Sequence, residues 1–173
     1  MAITIRKERP SDIDAIHKIE AAAFKGEAHA ELVNQLRAED ALILSHVAEL
    51  NGEAVGHAAY SLVTVTDGDT LRRFPALGPI GVLPRYQSQG IGSALVRAGL
   101  EAMRDMGYGL LFLVGSPLYY PRFGYQPAQP LGFTSDYVED DSRHEHFMVA
   151  VLHEGAHDDV RGRLRFHEAF HQV

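Results

Sequence analysis

Two clusters of residues in this chain have types and spacing that could do chemistry. The first combines histidine with glutamate. "HEGAH" at residues 153–157 and "HEAFH" at 167–171 both match H-E-x-x-H, which on a helix places two imidazoles on one zinc ion with a glutamate beside the metal-bound water. The second combines glycine with short polar residues, in Gln87-Ser88-Gln89-Gly90-Ile91-Gly92. There a backbone nearly free of side chains can close on a bound pyrophosphate, and a helix N-terminus can offer it N–H groups and a positive dipole end. The two imply different proteins, a metal-dependent hydrolase and a binder of a phosphate-bearing cofactor.

The backbone expected under each cluster separates them. Residues four apart lie about 6 Å from one another on a helix but about 13 Å apart on a strand. "RLRFHEAF" alternates, with Leu164, Phe166 and Glu168 on one side and Arg163, Arg165 and His167 on the other. It therefore predicts a strand on which His167 and His171 cannot share an ion. "HEGAH" is interrupted by Gly155 and followed by Asp158 and Asp159, the composition of a loop. The sequence thus predicts no metal site. The glycine turn fits neither of two familiar phosphate motifs. A dinucleotide fingerprint needs a third glycine where Leu95 stands, and a P-loop needs Gly-Lys-Ser/Thr. From the residues alone it is either a pyrophosphate cradle or a tight strand-to-helix turn.

The elements that must position these residues follow from pattern. "ITIRKE" (3–8) reads as a strand, and a helix follows with Ser11 as N-cap and Asp14 three residues on, turning Ile13, Ile16, Ala23 and Phe24 to the core. "AHAELVNQLRAE" (28–39) reads as a second helix around Leu32 and Leu36. Asn51-Gly52 joins two strands in a type I′ hairpin. "LGPIGVLP" (77–84) is an apolar strand that enters the glycine turn, and the helix after it carries Ile91, Leu95, Ala98, Ala102 and Met106 as its stripe, ending at Gly107. "GLLFLVG" (109–115) then predicts a buried strand parallel to 77–83, since strand–helix–strand crossovers close that way. "HFMVAVL" and "GRLRFHE" supply two later strands. The class is mixed α/β.

Composition narrows the function. The chain has 173 residues, 46% of them apolar and 23% charged, enough to bury one sizeable core in a single domain, residues 1–173. It has no cysteine, which excludes disulfides, thiolate metal sites and cysteine nucleophiles and leans towards the cytoplasm. A formal charge of -7 argues against nucleic acid as the main ligand and is compatible with a cationic amine. No stretch approaches the ~20 apolar residues of a membrane span, and the first ten residues lack a signal peptide's apolar core.

Gln87-x-x-Gly90-x-Gly92, after "GPIGVLP" and before a helix, resembles the acyl-CoA motif of the GNAT acetyltransferase superfamily. "LYYPRFGYQP" (118–127) is similar to that family's aromatic turn ending in Gly-Phe or Gly-Tyr. The likeness extends from the first strand through the two helices and the hairpin to "HFMVAVL" and "GRLRFHEAF", and in "SPLYYPRFGY" it is closest to the branch of YhbS-like predicted N-acetyltransferases. The resemblance implies the GNAT fold, a single twisted mixed sheet with a splayed central parallel strand pair flanked by helices. It implies acetyl-CoA as cosubstrate with no metal, and transfer to a primary amine, on a small molecule or a peptide, by direct attack in a ternary complex. A homodimer is compatible with it. A non-catalytic acyl-CoA-binding or sensing module is the alternative.

By the same resemblance, the backbone of Ile80, Gly81 and Val82 pairs with the pantetheine amides. The N–H groups around Ser88, Gln89, Gly90, Ile91, Gly92 and Ser93 hold the pyrophosphate, with Gln87 opening the motif. The general acid stands four residues before Gly124, at Tyr120, with Tyr119 as a packing neighbour, and an N–H at Gly81 or Val82 can polarise the thioester carbonyl. The base is open. "LGPIGVLP" carries no carboxylate, which leaves Glu27, His29 and Glu31 near the second helix, or His57 on the hairpin, acting through a water. Ser116 orients a water or substrate, or only caps its turn.

Overall fold

The computed structural model describes residues 2–137 and 141–173. In chain order these form β1 (Ile3–Lys7), α1 (Ile13–Phe24), α2 (Ala28–Ala38), β2 (Leu42–Leu50), β3 (Glu53–Asp67), β4 (Thr70–Val82), α3 (Ile91–Asp105), β5 (Leu110–Val114), β6 (Tyr125–Pro127), β7 (Phe133–Ser135), β8 (Phe147–Val151) and β9 (Gly162–Arg165). All nine strands belong to one mixed sheet of order β1-β2-β3-β4-β5-β8-β6, with β9 on β3 and β7 on β9. The chain divides into two compact units, residues 1–61, 77–99 and 169–173 in the first and 62–76 and 100–168 in the second.

In the first unit β1, β2 and the start of β3 run antiparallel. Asn51 and Gly52 both carry positive φ, 53° and 79°, the pair of left-handed residues that a type I′ turn requires. Helices α1 and α2 bury Ile16, Ile19, Leu32, Val33 and Leu36, and Ile16 and Val33 join Val47 and Ala59 of the sheet in one apolar cluster. Ser11 does not cap α1. A short 3-10 turn, Pro10–Asp12, precedes the helix, and Asp12 does the tethering instead. Its carboxylate accepts from Arg6 at 2.7 and 2.8 Å and from the Arg9 N–H at 2.6 Å, while Arg6 also donates to Glu49 at 2.8 Å. A bidentate, charge-assisted contact outcompetes a serine hydroxyl for the helix entry. Phe24 is likewise not a core residue. It is 41% exposed and stacks on His29 with ring centroids 3.7 Å apart.

In the second unit β5 and β8 pair antiparallel and β6 adds to β8, while β9 pairs with β3 at Thr64–Thr66 and with β7. Phe112 of β5 sits at the centre, its ring 5.0 to 6.2 Å from those of Phe74, Phe133 and Phe147. Strand β4 starts at Thr70, earlier than its apolar part suggests, and pairs in parallel with β5 at Ala76↔Phe112 alone. One register pair between strands of 13 and 5 residues leaves the rest of that edge outside the ladder, as a splayed pair does.

Two expectations shift in register. The buried face of α3 is Ile91, Leu95, Val96, Leu100 and Met103. Ala98 and Ala102 lie at its margin, and Met106 falls past the last helical residue and is 48% exposed. Strand β9 stops at Arg165, so "HEAFH" is not on a strand. Glu168–Gln172 form a 3-10 turn, and at three residues per turn residues four apart point about 120° away from each other. The predicted strand was wrong: His167 precedes the turn and His171 lies within it. "HEGAH" is a run of turns, as expected. Among the described residues no group of three or more His, Asp or Glu could hold a metal ion, and no helix is long and apolar enough to cross a membrane.

Candidate active site

The glycine turn is exposed and tied to the end of its own strand. Strand β4 ends at Val82, the Leu83 N–H donates to the Val55 carbonyl at 2.9 Å, and Pro84–Tyr86 make one 3-10 turn. Glu53 pins that turn, accepting from Arg85 at 2.6 Å and from the Tyr86 hydroxyl at 3.0 Å. The Gln87 amide donates back to the Val82 carbonyl at 3.0 Å, and that of Gln89 to the Arg85 carbonyl at 3.2 Å. Both glutamines therefore hold the loop to its own strand end. Ser88 and Gly90 take positive φ, 62° and 87°, the left-handed conformation from which a turn can gather successive N–H groups into an anion nest. Gly90 faces open space, with nothing within 4 Å of where a Cβ would stand. Its carbonyl accepts the Ala94 N–H at 3.0 Å, so α3 begins immediately and its first-turn N–H groups, at Ile91 and Gly92, have no intrahelical acceptor. Gln87 through Gly90 are exposed, while Ile80 and Val82 are half-buried on either side of buried Gly81.

In the second unit the aromatic turn fixes Tyr119 and Tyr120 differently. Tyr120 opens a 3-10 turn, Tyr120–Phe123, that ends at Gly124 with φ 97°. Arg122 lies over the Tyr119 ring at 4.8 Å and donates to its carbonyl at 2.9 Å. Tyr120 packs edge-on to Tyr119 and Tyr125, centroids 5.1 and 5.7 Å away, and its ring lies against Gly115, where a Cβ would come within 2.5 Å of it. Burial, with the neighbouring Tyr119 adding to it, pushes the Tyr120 phenol up to about 12. The group keeps its proton throughout the neutral range and can only donate it.

The residues considered as bases, and Ser116, are each placed by their own local contacts. Glu27 is exposed and meets His17 at 2.5 Å. His29 is occupied by Phe24, and burial lowers its pKa. Glu31 is exposed on the first turn of α2. The Ser116 hydroxyl accepts the Leu118 N–H at 3.2 Å, which caps its own turn. His57 has a firmer place. It is fully buried, its Nδ1 2.7 Å from Glu20 Oε1 and its Nε2 2.8 Å from Ser45 Oγ. Ser45 Oγ donates to Glu8 Oε1 at 2.9 Å, and Glu8 is clasped by Arg37 at 2.7 and 2.9 Å.

Sequence reasoning reached His57 but not Glu20, Ser45, Glu8 or Arg37. One signal was available. Glu20 stands at the i+4 position from Ile16, beside Ile19, on the apolar stripe of α1, where a carboxylate is out of pattern. In the structure it is 0% exposed, and its Oε2 has no hydrogen-bond partner. Burial, only partly offset by His57, raises its pKa.

Known proteins resemble this chain along almost its whole length. A family model described as an acetyltransferase (GNAT) domain matches residues 4–128. YhbS of Escherichia coli K12, described as an uncharacterised N-acetyltransferase, is 31% identical over 169 residues, covering 97% of this chain and 98% of its own. YjhQ of the same strain, described likewise, is 35% identical over 145 residues, 82% of this chain and 80% of its own. The crystal structure of E. coli YhbS in complex with CoA superposes with a TM-score of 0.89 at 30% identity, covering 99% of this chain and 93% of that one. A GNAT family acetyltransferase from Brucella melitensis, solved with acetyl-CoA, does so with a TM-score of 0.78 at 34% identity, over 98% of each chain. With a family model over most of its length and relatives matched almost end to end, this chain belongs to the GNAT acetyltransferase family.

Proposed function

We propose that the protein is an acetyl-CoA-dependent N-acetyltransferase that moves the acetyl group to a primary amine by direct attack in a ternary complex, with residues 1–173 working as one acyltransferase domain. The observation that carries this is the exposed nest at Ser88 and Gly90, held to the end of β4 by Gln87 and opening onto α3. It suits a pyrophosphate because it combines left-handed residues, open space at Gly90 and a helix start at Ile91. In this reading Ser88, Gln89, Gly90, Ile91, Gly92 and Ser93 bind the pyrophosphate through their N–H groups. Ile80, Gly81 and Val82 pair their backbone with the pantetheine arm as a strand would, on the part of β4 beyond its one pair with β5. The cosubstrate supplies an activated thioester acyl group.

Tyr120 supplies a proton to the departing thiolate. Its raised pKa ensures that the proton is present, and its fixed ring that it is presented from one place. Ser116, expected to orient a water or substrate or only to cap its turn, is taken up by that turn, while Glu27, His29 and Glu31, among the candidate bases, remain as surface groups able to meet an acceptor amine. A sensing module with the same nest would have no use for a phenol held in this way, which favours the enzyme over the binder.

The test is thermal. Acetyl-CoA at about a hundred times its dissociation constant should add about 2.7 kcal/mol of stability, a rise of roughly 5–10 °C in Tm for a domain of this size. Gly90→Val should abolish the rise, since a branched residue at φ 87° is strained and closes the nest. A Gly90→Val protein that is stabilised like the parent would refute the cradle. Acetyl-CoA turnover against a panel of amines then identifies the acceptor. A protein that binds acetyl-CoA and turns over none would be the sensing module.

A further inference from the structure

The transfer reaction needs a proton acceptor for the amine, and β4 carries none. We propose that Glu20 takes the amine proton through an ordered water at Gly81, and that His57 and Ser45 pass a proton on to Glu8 at the surface. The inference rests on the transferase reading above, because it uses the stretch of β4 assigned there to the cosubstrate.

The geometry is directional. Arg37 clasps Glu8, and although burial alone would raise that carboxyl, the hydrogen bonds from Arg37 and Ser45 outweigh it and hold Glu8 below the ordinary value. Glu8 is therefore an ionised acceptor, and the single Ser45 proton points to it. Ser45 Oγ can then only accept from His57, which fixes an N–H on Nε2. One proton remains, shared between His57 Nδ1 and Glu20 Oε1 across 2.7 Å. The far oxygen of Glu20, Oε2, is buried and unpartnered, 3.0 Å from where a Cβ on Gly81 would stand. The absence of a side chain there lets the carboxylate lie against β4 between Ile80 and Val82.

Each step balances. An ammonium N–H bond breaks, its electron pair stays on nitrogen as the nucleophile, and the proton arrives at Oε2 through the water. The shared proton then moves fully onto Nδ1, which makes His57 an imidazolium. His57 releases its Nε2 proton to Ser45 as Ser45 releases its own to Glu8, and Glu8, with 17% of its side chain exposed, returns it to solvent. An unpaired buried carboxylate oxygen is costly, and an apolar residue would pack the same space without that cost. The titratable groups around the relay include Arg37 on α2, and His46 and Lys7 on the adjacent strands, where burial and the nearby Lys7 and His57 lower the pKa of His46.

The experiment measures kcat against pH for the parent, Glu20→Gln and Ser45→Ala, with the acetyl-CoA dissociation constant from calorimetry on the same preparations. Glu20→Gln keeps the shape but cannot take the proton. Its kcat should fall about 10²–10⁴-fold, the acid limb of the parent profile should vanish, and the dissociation constant should stay within a few-fold. Ser45→Ala leaves Glu20 in place and cuts the exit, so its kcat should fall with the limb displaced. A Glu20→Gln enzyme that keeps the parent limb, or that loses acetyl-CoA binding in step with turnover, overturns the relay while the parent's activity upholds the transferase. Should Glu20→Gln not fold, a Ser45→Ala enzyme with parent kcat and limb overturns it alone. A parent that binds acetyl-CoA and acetylates no amine defeats the transferase reading first.

Discussion

Gly115→Ala tests whether the placement of Tyr120 matters to the reaction. Gly115 is fixed from both sides. Its N–H donates to the His146 carbonyl at 2.9 Å, and the His146 ring nitrogen donates to its carbonyl at 3.0 Å. A methyl group added there would lie 2.5 Å from Tyr120 Cε2 and 3.0 Å from Cδ2, and 3.3 Å from Leu113 Cδ1. Carbon atoms in contact prefer about 3.5–4.0 Å, so the ring must retreat by about 1 Å while the anchored backbone stays. Overpacking of this kind costs about 1–3 kcal/mol, or roughly 2–12 °C in Tm for a domain of this size. A 1 Å error in a reacting group costs about 10²-fold in rate. Turnover should therefore fall about a hundredfold with acetyl-CoA affinity unchanged, read by steady-state kinetics with the best amine from the panel and by calorimetry. Tyr120→Phe should cost about 10²–10⁴-fold, and Tyr119→Phe much less. Adding Gly115→Ala to Tyr120→Phe should cost little more, because both act through the same hydroxyl. A Gly115→Ala enzyme with parent kcat, or a double variant whose losses multiply, would refute the assignment of the acid.

Two further outcomes are expected. The bonds from Arg6 hold the Asp12 carboxyl down at about 2, against an ordinary 3.8. At about 1.4 kcal/mol per pH unit this contributes about 2.5 kcal/mol of stability above the ordinary value, lost as pH falls through about 2. Denaturant melts of Asp12→Asn should accordingly show a deficit of about 2 kcal/mol at pH 7 that closes between pH 5 and pH 2, and a deficit constant with pH would contradict the tether. For the histidines, neither EDTA nor His167→Ala with His171→Ala should change turnover. Stoichiometric zinc in tag-free protein, lost with those substitutions, would count against the geometry of the 3-10 turn.

What could be read from the sequence was local. Asn51-Gly52 fixes a hairpin whatever surrounds it, and the run from "GPIGVLP" through Gly90 to α3 places strand, turn and helix within a few residues of one another. Tyr120, Gly124 and the turn between them are equally contiguous. Errors arose where local preference met a competitor from elsewhere. Ser11 is a good cap, but Asp12 has an arginine from β1 and wins the helix entry. Leu164 and Phe166 keep alternating inward, both buried, yet the ladder that makes a strand stops at Arg165. Burial alternates there without backbone pairing, and the sequence shows only the burial.

The hydrogen-bonded chain beneath β4 could not be read in this way. Its partners come from the residue after β1 and from α1, α2, β2 and β3, separated by 37 residues between Glu20 and His57, 12 between His57 and Ser45, and 37 between Ser45 and Glu8. No window of sequence contains two of these contacts. Only a misplaced residue type survives as a trace, and Glu20 on the apolar stripe of α1 is that trace. Its cost gives it weight. A Leu at that position would bury more apolar surface and need no histidine, no serine and no second carboxylate to support it. Instead four polar residues are committed to one buried oxygen pair, and the one oxygen without a partner is the one that lies against Gly81. A purely structural network would be expected to satisfy that atom first, because an unsatisfied buried acceptor loses about 1–3 kcal/mol. No protein group takes that place, which leaves it to the water that brings the amine proton.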